Sequence, residues 1–149
     1  ASGDYMTFID ADDIWFPTFI ENNIKTSQES GIPFVFSSYK RANEELEFVY
    51  SDFIVPSKVT YTDILKSNSI SCLTAFLDIK KLGKKYMPLI RKQETQAIYR
   101  IRENSLSRKK SDLIKYQWQF YREVEKLNVF QSAYYMLHWM YRGFMKYRN

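Results

Sequence analysis

The stretch Tyr5-Met6-Thr7-Phe8-Ile9-Asp10-Ala11-Asp12-Asp13-Ile14-Trp15-Phe16-Pro17 constrains this chain more than any other. Five residues of strand character run directly into three carboxylates within four positions. A buried, unpaired carboxylate is too costly for a strand interior to hold three of them. The acids are therefore expected where the strand leaves its sheet. The nearly continuous apolar run before them predicts a buried strand over Tyr5–Ile9. In an extended chain Asp10 and Asp12, two apart, point to the same side. Two carboxylates so placed make a hard-oxygen site suited to Mg²⁺ or Mn²⁺, the ions that accompany phosphates. The plainer alternative is an acidic turn whose carboxylates cap the following helix.

Downstream, Pro17 suits the first position of a helix, and Phe19, Ile20 and Ile24 follow at helical spacing. Gly31 ends that helix and Pro33 begins an extended segment. Ile32–Ser37 is expected to be a strand with Phe34 and Phe36 on one face. Asn43-Glu44-Glu45 marks a turn before a short returning strand over Glu47–Tyr50. Pro56 opens a new segment, in which Thr60 or Thr62 caps a helix through about Ser67, with Ile64 and Leu65 inward. Ser71–Ile79 and Thr95–Arg102 read as strands separated by a basic turn at Lys80–Lys85. From Ser107 or Ser111, Leu113, Tyr116, Phe120, Val124 and Leu127 repeat at helical steps to about Lys126. Asn128 breaks the pattern, and Phe130, Tyr134, Leu137, Tyr141 and Phe144 resume it, which predicts a helical hairpin. The expected division is residues 1–106 as an α/β domain and 107–149 as the hairpin.

Charge divides the chain in a similar way. Residues 1–96 carry a net −2 and residues 97–149 a net +7. An acidic front suits ion or substrate handling, and a basic back suits an anionic partner such as a membrane surface, a phosphate-bearing ligand or a nucleic acid. Nucleic acid is disfavoured, because the basic residues alternate with core positions instead of forming a stripe. Val129–Tyr141 is uncharged but only 13 residues long, short of the roughly 20 a bilayer span requires. Its aromatic face, edged by Arg142, Lys146 and Arg148, either packs on the domain before it or lies on a membrane surface. An aromatic share of 17% excludes a disordered chain. The single Cys72, in an apolar segment, is read as structural, and it rules out an intramolecular disulfide framework and fits a reducing compartment. Ala1-Ser2-Gly3-Asp4 has neither the basic start nor the apolar run of a signal peptide.

The segment from Phe8 through Trp15, with Pro17 and a helix behind it, resembles the metal-binding segment of glycosyltransferase family 2, whose fold is called GT-A. Further matches follow in the same order: Pro56, Tyr61, Leu65, Asn68-Ser69-Ile70 and Thr74, then Met87 to Glu94, then Tyr99 to Ser107 and Lys110. The likeness is to the bacterial subgroup that builds capsule, lipooligosaccharide and other surface glycans. It implies a partial GT-A-like mixed sheet with flanking helices, and an inverting transfer from a nucleotide-sugar donor to a glycan or lipid-linked acceptor. It implies a cytoplasmic location, peripheral on the inner face of the membrane. Asp10 would lie near the ribose or the ion, and Asp12 would coordinate the divalent cation, Mn²⁺ or Mg²⁺. Asp13 would bind through water or cap the helix. Arg100 and Arg102 would meet the diphosphate, Ser105 and Ser107 would add hydroxyl donors or cap the next helix, and Glu94 is either the acid nearest the position of the catalytic base or a solvated charge after Arg91-Lys92. Two departures stand out. The family begins with a nucleotide-binding strand–helix unit roughly 80 residues ahead of the acidic motif, and an Asp normally follows the Arg91-Lys92-Gln93-Glu94 segment as base. The chain is accordingly expected to be part of a longer protein, and the competing expectation is a non-catalytic binding or scaffold fragment.

Overall fold

The computed structural model of the chain describes residues 2–82, 88–101 and 110–146. Its organising strand is the long one opened by Pro33. Strands β1 (Tyr5–Thr7), β2 (Ile14–Trp15), β3 (Phe34–Ala42), β4 (Phe48–Phe53), β5 (Phe76–Asp78) and β6 (Leu89–Arg100) form one sheet in the order β1-β5-β3-β6-β2, with β4 also on β3. Among the described residues, only β3 and β6 run parallel, and every other pair is antiparallel. Since β6 pairs along β3 from Phe34 to Ala42, β5 and β4 share the opposite edge of β3. Burial explains why β3 is central: Val35 to Tyr39 are all buried, as expected for a strand covered on both faces. Phe34 and Phe36 share a face, with ring centroids 6.2 Å apart.

Helix α1 (Phe19–Ser30) ends at Gly31, whose φ of +70° is left-handed. A Cβ there would meet nothing within 4 Å, so the need for glycine is conformational and not steric. Gly31→Ala is expected to cost about 1 kcal/mol, the left-handed penalty for an L-residue, readable as a lowered Tm. Pro17 lies two residues before α1, outside it. Inside, Asn23 Nδ2 donates to Gln96 Oε1 at 2.8 Å, a buried bond joining the helix to β6.

The chain divides into two compact units, residues 1–59 with 69–101, and 60–68 with 102–149. The first contains the sheet and α1. Its core has two clusters, Phe36 with Val55 and Val59, and Tyr39 with Leu73 and Ala97. The second contains α2 (Tyr61–Lys66), α3 (Lys110–Gln119) and α4 (Val129–Lys146) around Leu65, Tyr121 and Met136. The sequence boundary after residue 106 leaves α2 with the sheet. The structure groups it with the later helices instead, because Leu65 is buried against Tyr121 and Met136. Thr60 caps α2 through a reciprocal box with Asp63.

Several expectations change. β1 is a shorter strand at one end of the strand order, and Met6, Phe8 and Ile9 are exposed where a buried run was expected. Ser71–Ile79 is not one strand: a 3-10 turn at Cys72–Thr74 precedes β5, another at Ile79–Lys81 follows it, and Cys72 is exposed. β6 begins at Leu89, six residues before the expected start. Residues 83–85 of the basic turn lie outside the described residues. The architecture remains α/β, a mixed sheet with flanking helices consistent with a partial GT-A-like domain.

The helices also change face. A π-helical turn at Phe120–Val124 follows α3 and shifts the side-chain register. Tyr121 is thereby turned into the core, while Tyr116 and Val124, expected inside, are exposed. Asn128 interrupts the helical run by capping α4: its Oδ1 accepts from the Gln131 N–H at 2.9 Å, and Gln131 Oε1 accepts from the Asn128 N–H. In α4 the stripe Phe130, Tyr134, Leu137, Tyr141, Phe144 is exposed, and Ser132 and Met136 on the opposite side are buried.

Candidate active site

The chain does not stay extended through the acids. The Asp13 N–H donates to the Asp10 carbonyl at 3.1 Å, closing a tight turn over Asp10–Asp13 between β1 and β2. The turn sorts the carboxylates by depth. Asp10 is exposed, Asp12 is half-buried and Asp13 is buried. The three acids therefore do not form one cluster, and no group of three or more His, Cys, Asp or Glu that could hold a metal occurs among the described residues.

Asp13 points back into the sheet. Its Oδ1 accepts from the backbone N–H of Arg100 at 2.9 Å, and its Oδ2 is buried with no hydrogen-bond partner. Burial pushes its carboxyl up to about 6, opposed by the Arg100 N–H and reinforced by the charges of Asp12 and Asp10. The pairing of β2 with β6, Ile14 opposite Ile98 and Trp15 opposite Ala97, brings Arg100 to this place. Arg100 Nε is likewise buried without a hydrogen-bond partner. Asp13 and Arg100 thus meet, but through the backbone of Arg100.

Behind the turn, Trp15 stacks on Phe19 with ring centroids 4.5 Å apart and an interplanar angle of 10°. Its Nε1–H donates to the Leu73 carbonyl at 2.8 Å. Its ring and its N–H are both used in packing. His138 is half-buried against the ring of Tyr134, 4.6 Å between centroids, in keeping with a packing role.

Glu94 lies elsewhere on β6. The register passes from Ser37–Lys92 to Ser38–Thr95 and then to Tyr39–Ala97, so β6 is irregular at Gln93–Glu94 and again at Gln96. Glu94 is exposed there, with Lys92 Nζ 3.7 Å from its Oε2. Gln96 turns inward to Asn23, and its backbone carbonyl accepts from the Phe16 N–H at 3.0 Å. Along β6, Glu94 lies six residues before Arg100, whose N–H meets Asp13. The strand does not bring Glu94 to the acidic turn. Arg102, Ser105 and Ser107 lie outside the described residues.

The remaining donor set, exposed Asp10 and half-buried Asp12 on a turn, fits a hard divalent cation. Mg²⁺ and its relatives take one or two protein carboxylates and complete their shell with phosphate oxygens and water, so a third protein ligand is not required. The inward course of Asp13 had no distinct signal in the sequence. The irregularity of β6 had one: Lys92-Gln93-Glu94-Thr95-Gln96 is five polar residues in a row, which no half-buried strand sustains.

No family model matches the chain. It is similar to a UDP-Glc:alpha-D-GlcNAc-diphosphoundecaprenol beta-1,3-glucosyltransferase of Escherichia coli, 28% identical over 98% of this chain and 64% of that protein. It is similar also to a putative teichuronic acid biosynthesis glycosyltransferase of Bacillus subtilis, 29% identical over 89% of this chain and 61% of the relative. An uncharacterized glycosyltransferase of Haemophilus influenzae is 24% identical over the whole chain and 67% of its own length. The chain thus spans somewhat under two thirds of the first two relatives.

Proposed function

We propose that this chain is part of a family 2, GT-A-type glycosyltransferase that moves a sugar from a nucleotide-diphosphate donor to a surface-glycan or lipid-linked acceptor at the inner face of the cytoplasmic membrane. The observation that carries the reading is similarity over 98% of the chain to a protein named as a glucosyltransferase. The acidic turn supports it from the chemical side. Asp10, exposed, and Asp12, half-buried, lie on the turn after β1 and would hold the divalent cation that accompanies a donor diphosphate. Bound there, Mn²⁺ or Mg²⁺ would offset the negative charge that grows on the departing diphosphate.

The chain's own residues divide the remaining work. Asp13 holds the turn to β6 through the Arg100 N–H. The guanidiniums of Arg100 and Arg102 and the Ser105 hydroxyl suit donor phosphate oxygens. In an inverting transfer a base takes the acceptor hydroxyl proton, the oxygen bonds to the anomeric carbon from the opposite face, and the sugar–phosphate bond breaks. That base must approach the hydroxyl to about 3 Å. Glu94, exposed on β6, is the candidate of this chain only if the acceptor is bound along that strand. The second reading is a non-catalytic binding or scaffold protein.

UDP is the first nucleotide to test, since the E. coli relative is named for UDP-Glc. Calorimetric titration of the chain with UDP and Mn²⁺ is expected to show binding that Asp12→Ala or a chelator weakens about tenfold, the loss of about 1.4 kcal/mol of cation-mediated attraction. Unchanged affinity in Asp12→Ala would remove the acidic turn from the reading. No UDP binding by the unaltered chain would favour the scaffold.

A further inference from the structure

We infer that the outward face of α4 is a docking surface for an anionic lipid bilayer, on which the helix lies flat. α4 is apolar on two opposite sides. Met136 is buried against Leu65 and Tyr121, with Tyr135 and Trp139 packed around them, and this accounts for the inner side. On the other side Phe130, Tyr134, Leu137, Tyr141 and Phe144 follow one another at three- and four-residue steps and form a single stripe. They are exposed from 49% at Tyr134 to 88% at Phe130. An ordinary surface helix keeps polar residues on that side. Tyr134, Leu137, His138 and Tyr141 also line a shallow hollow of about 240 Å³ on this face.

Charge selects the occupant. α4 contains no Asp or Glu from Val129 to Lys146. Arg142 is exposed beside the stripe, and Lys66 of α2 holds its ammonium 5.7 Å from the centre of the Tyr134 ring. Residues 60–68 and 102–149 together carry eleven basic and five acidic side chains, a net of +6. A second copy docked about a two-fold axis would set the same surface, with its cations, against itself. An anionic headgroup layer offers the opposite charge to Lys66 and Arg142 and an apolar boundary to the rings. Tyrosine, with an apolar ring and a hydroxyl, is the side chain that settles at that boundary. No described helix is long and apolar enough to cross a membrane, so α4, about 27 Å long at 1.5 Å per residue, lies on the surface and does not span it.

The inference shares a location with the proposed function but not its chemistry, since vesicle binding needs no donor and no transfer. The full chain is sedimented with vesicles of phosphatidylglycerol and phosphatidylethanolamine, and with vesicles of phosphatidylcholine alone. Partitioning is expected to be about tenfold stronger on the anionic vesicles, and about tenfold weaker in Leu137→Ser/Tyr141→Ser, with unchanged circular dichroism because both side chains are exposed. Phe130→Ser, at the most exposed position of the stripe, gives an independent reading if the double variant folds poorly. Equal partitioning of the unaltered chain and the variants overturns the inference, as does equal binding to both kinds of vesicle. A concentration-dependent dimer that the variants dissolve, without vesicle binding, overturns it in favour of a second copy.

Discussion

Tyr121→Ala is expected to remove about 3–5 kcal/mol from the stability of the helical unit, as truncation of a large buried aromatic does. Tyr121 is fully buried at the centre of the cluster with Leu65 and Met136. Its ring lies against those of Phe120 and Tyr135, with centroids 5.8 and 6.2 Å away. Its hydroxyl donates to the Leu65 carbonyl. That carbonyl belongs to the last turn of α2, where a helix has no partner of its own to offer. Tyr121 therefore fills the core and completes the end of a six-residue helix that would be marginal by itself. Tyr121→Phe separates the two roles. It keeps the ring and leaves the carbonyl without its donor, and about 1–2 kcal/mol is expected to be lost. Urea unfolding followed by the fluorescence of Trp118 and Trp139, both packed on this cluster, measures each. A loss below about 1 kcal/mol for Tyr121→Ala would mean that the cluster does not hold the unit together.

Much of this fold is legible in the sequence where one residue type answers one local demand. Gly31 stops α1 because only glycine takes its φ without penalty, and Pro33 starts the next extended run. Phe34 and Phe36 share a face because a strand alternates. The helices were less legible, for a physical reason. Periodicity reports that a face is apolar, not that it is covered. In α4 both faces are apolar, and the more regular aromatic one is the one left exposed. After α3, one π-helical turn rotates everything behind it, so a stripe counted at regular helical steps selects Tyr116 and Val124 where the structure selects Tyr121. Long-range register was equally hidden. That Ile14 pairs with Ile98, and so carries Arg100 to Asp13, depends on contacts more than 80 residues apart in the chain. The acidic motif itself is legible in the order of the residues, but the burial of Asp13, against exposed Asp10 and half-buried Asp12, follows from that pairing.

The inward carboxylate has a measurable cost. Asp13→Asn is expected to gain on the unaltered chain as pH rises, by about 3 kcal/mol in all, in metal-free buffer. In the unfolded chain Asp13 titrates near 3.8, and in the folded chain at about 6, chiefly because burial disfavours the charged form. Below 3.8 both states hold the proton and the group is neutral with respect to folding. Between 3.8 and about 6 the folded chain binds more protons than the unfolded one, so stability falls as pH rises. Above about 6 the loss is complete and constant. Asparagine keeps an acceptor for the Arg100 N–H and does not titrate, so the difference between the two stability curves isolates Asp13 from every other carboxylate. Urea midpoints at a series of pH values from below 4 to 7 measure it, and parallel curves would mean that Asp13 is hydrated and not buried. The cost is informative because Asp13 touches β6 through a backbone N–H that a neutral side chain could also satisfy. A charged residue there at neutral pH, beside exposed Asp10 and half-buried Asp12, ties folding energy to the placement of the turn that carries them. A buried carboxyl perturbed in this way, beside other acids, is a mark of functional sites.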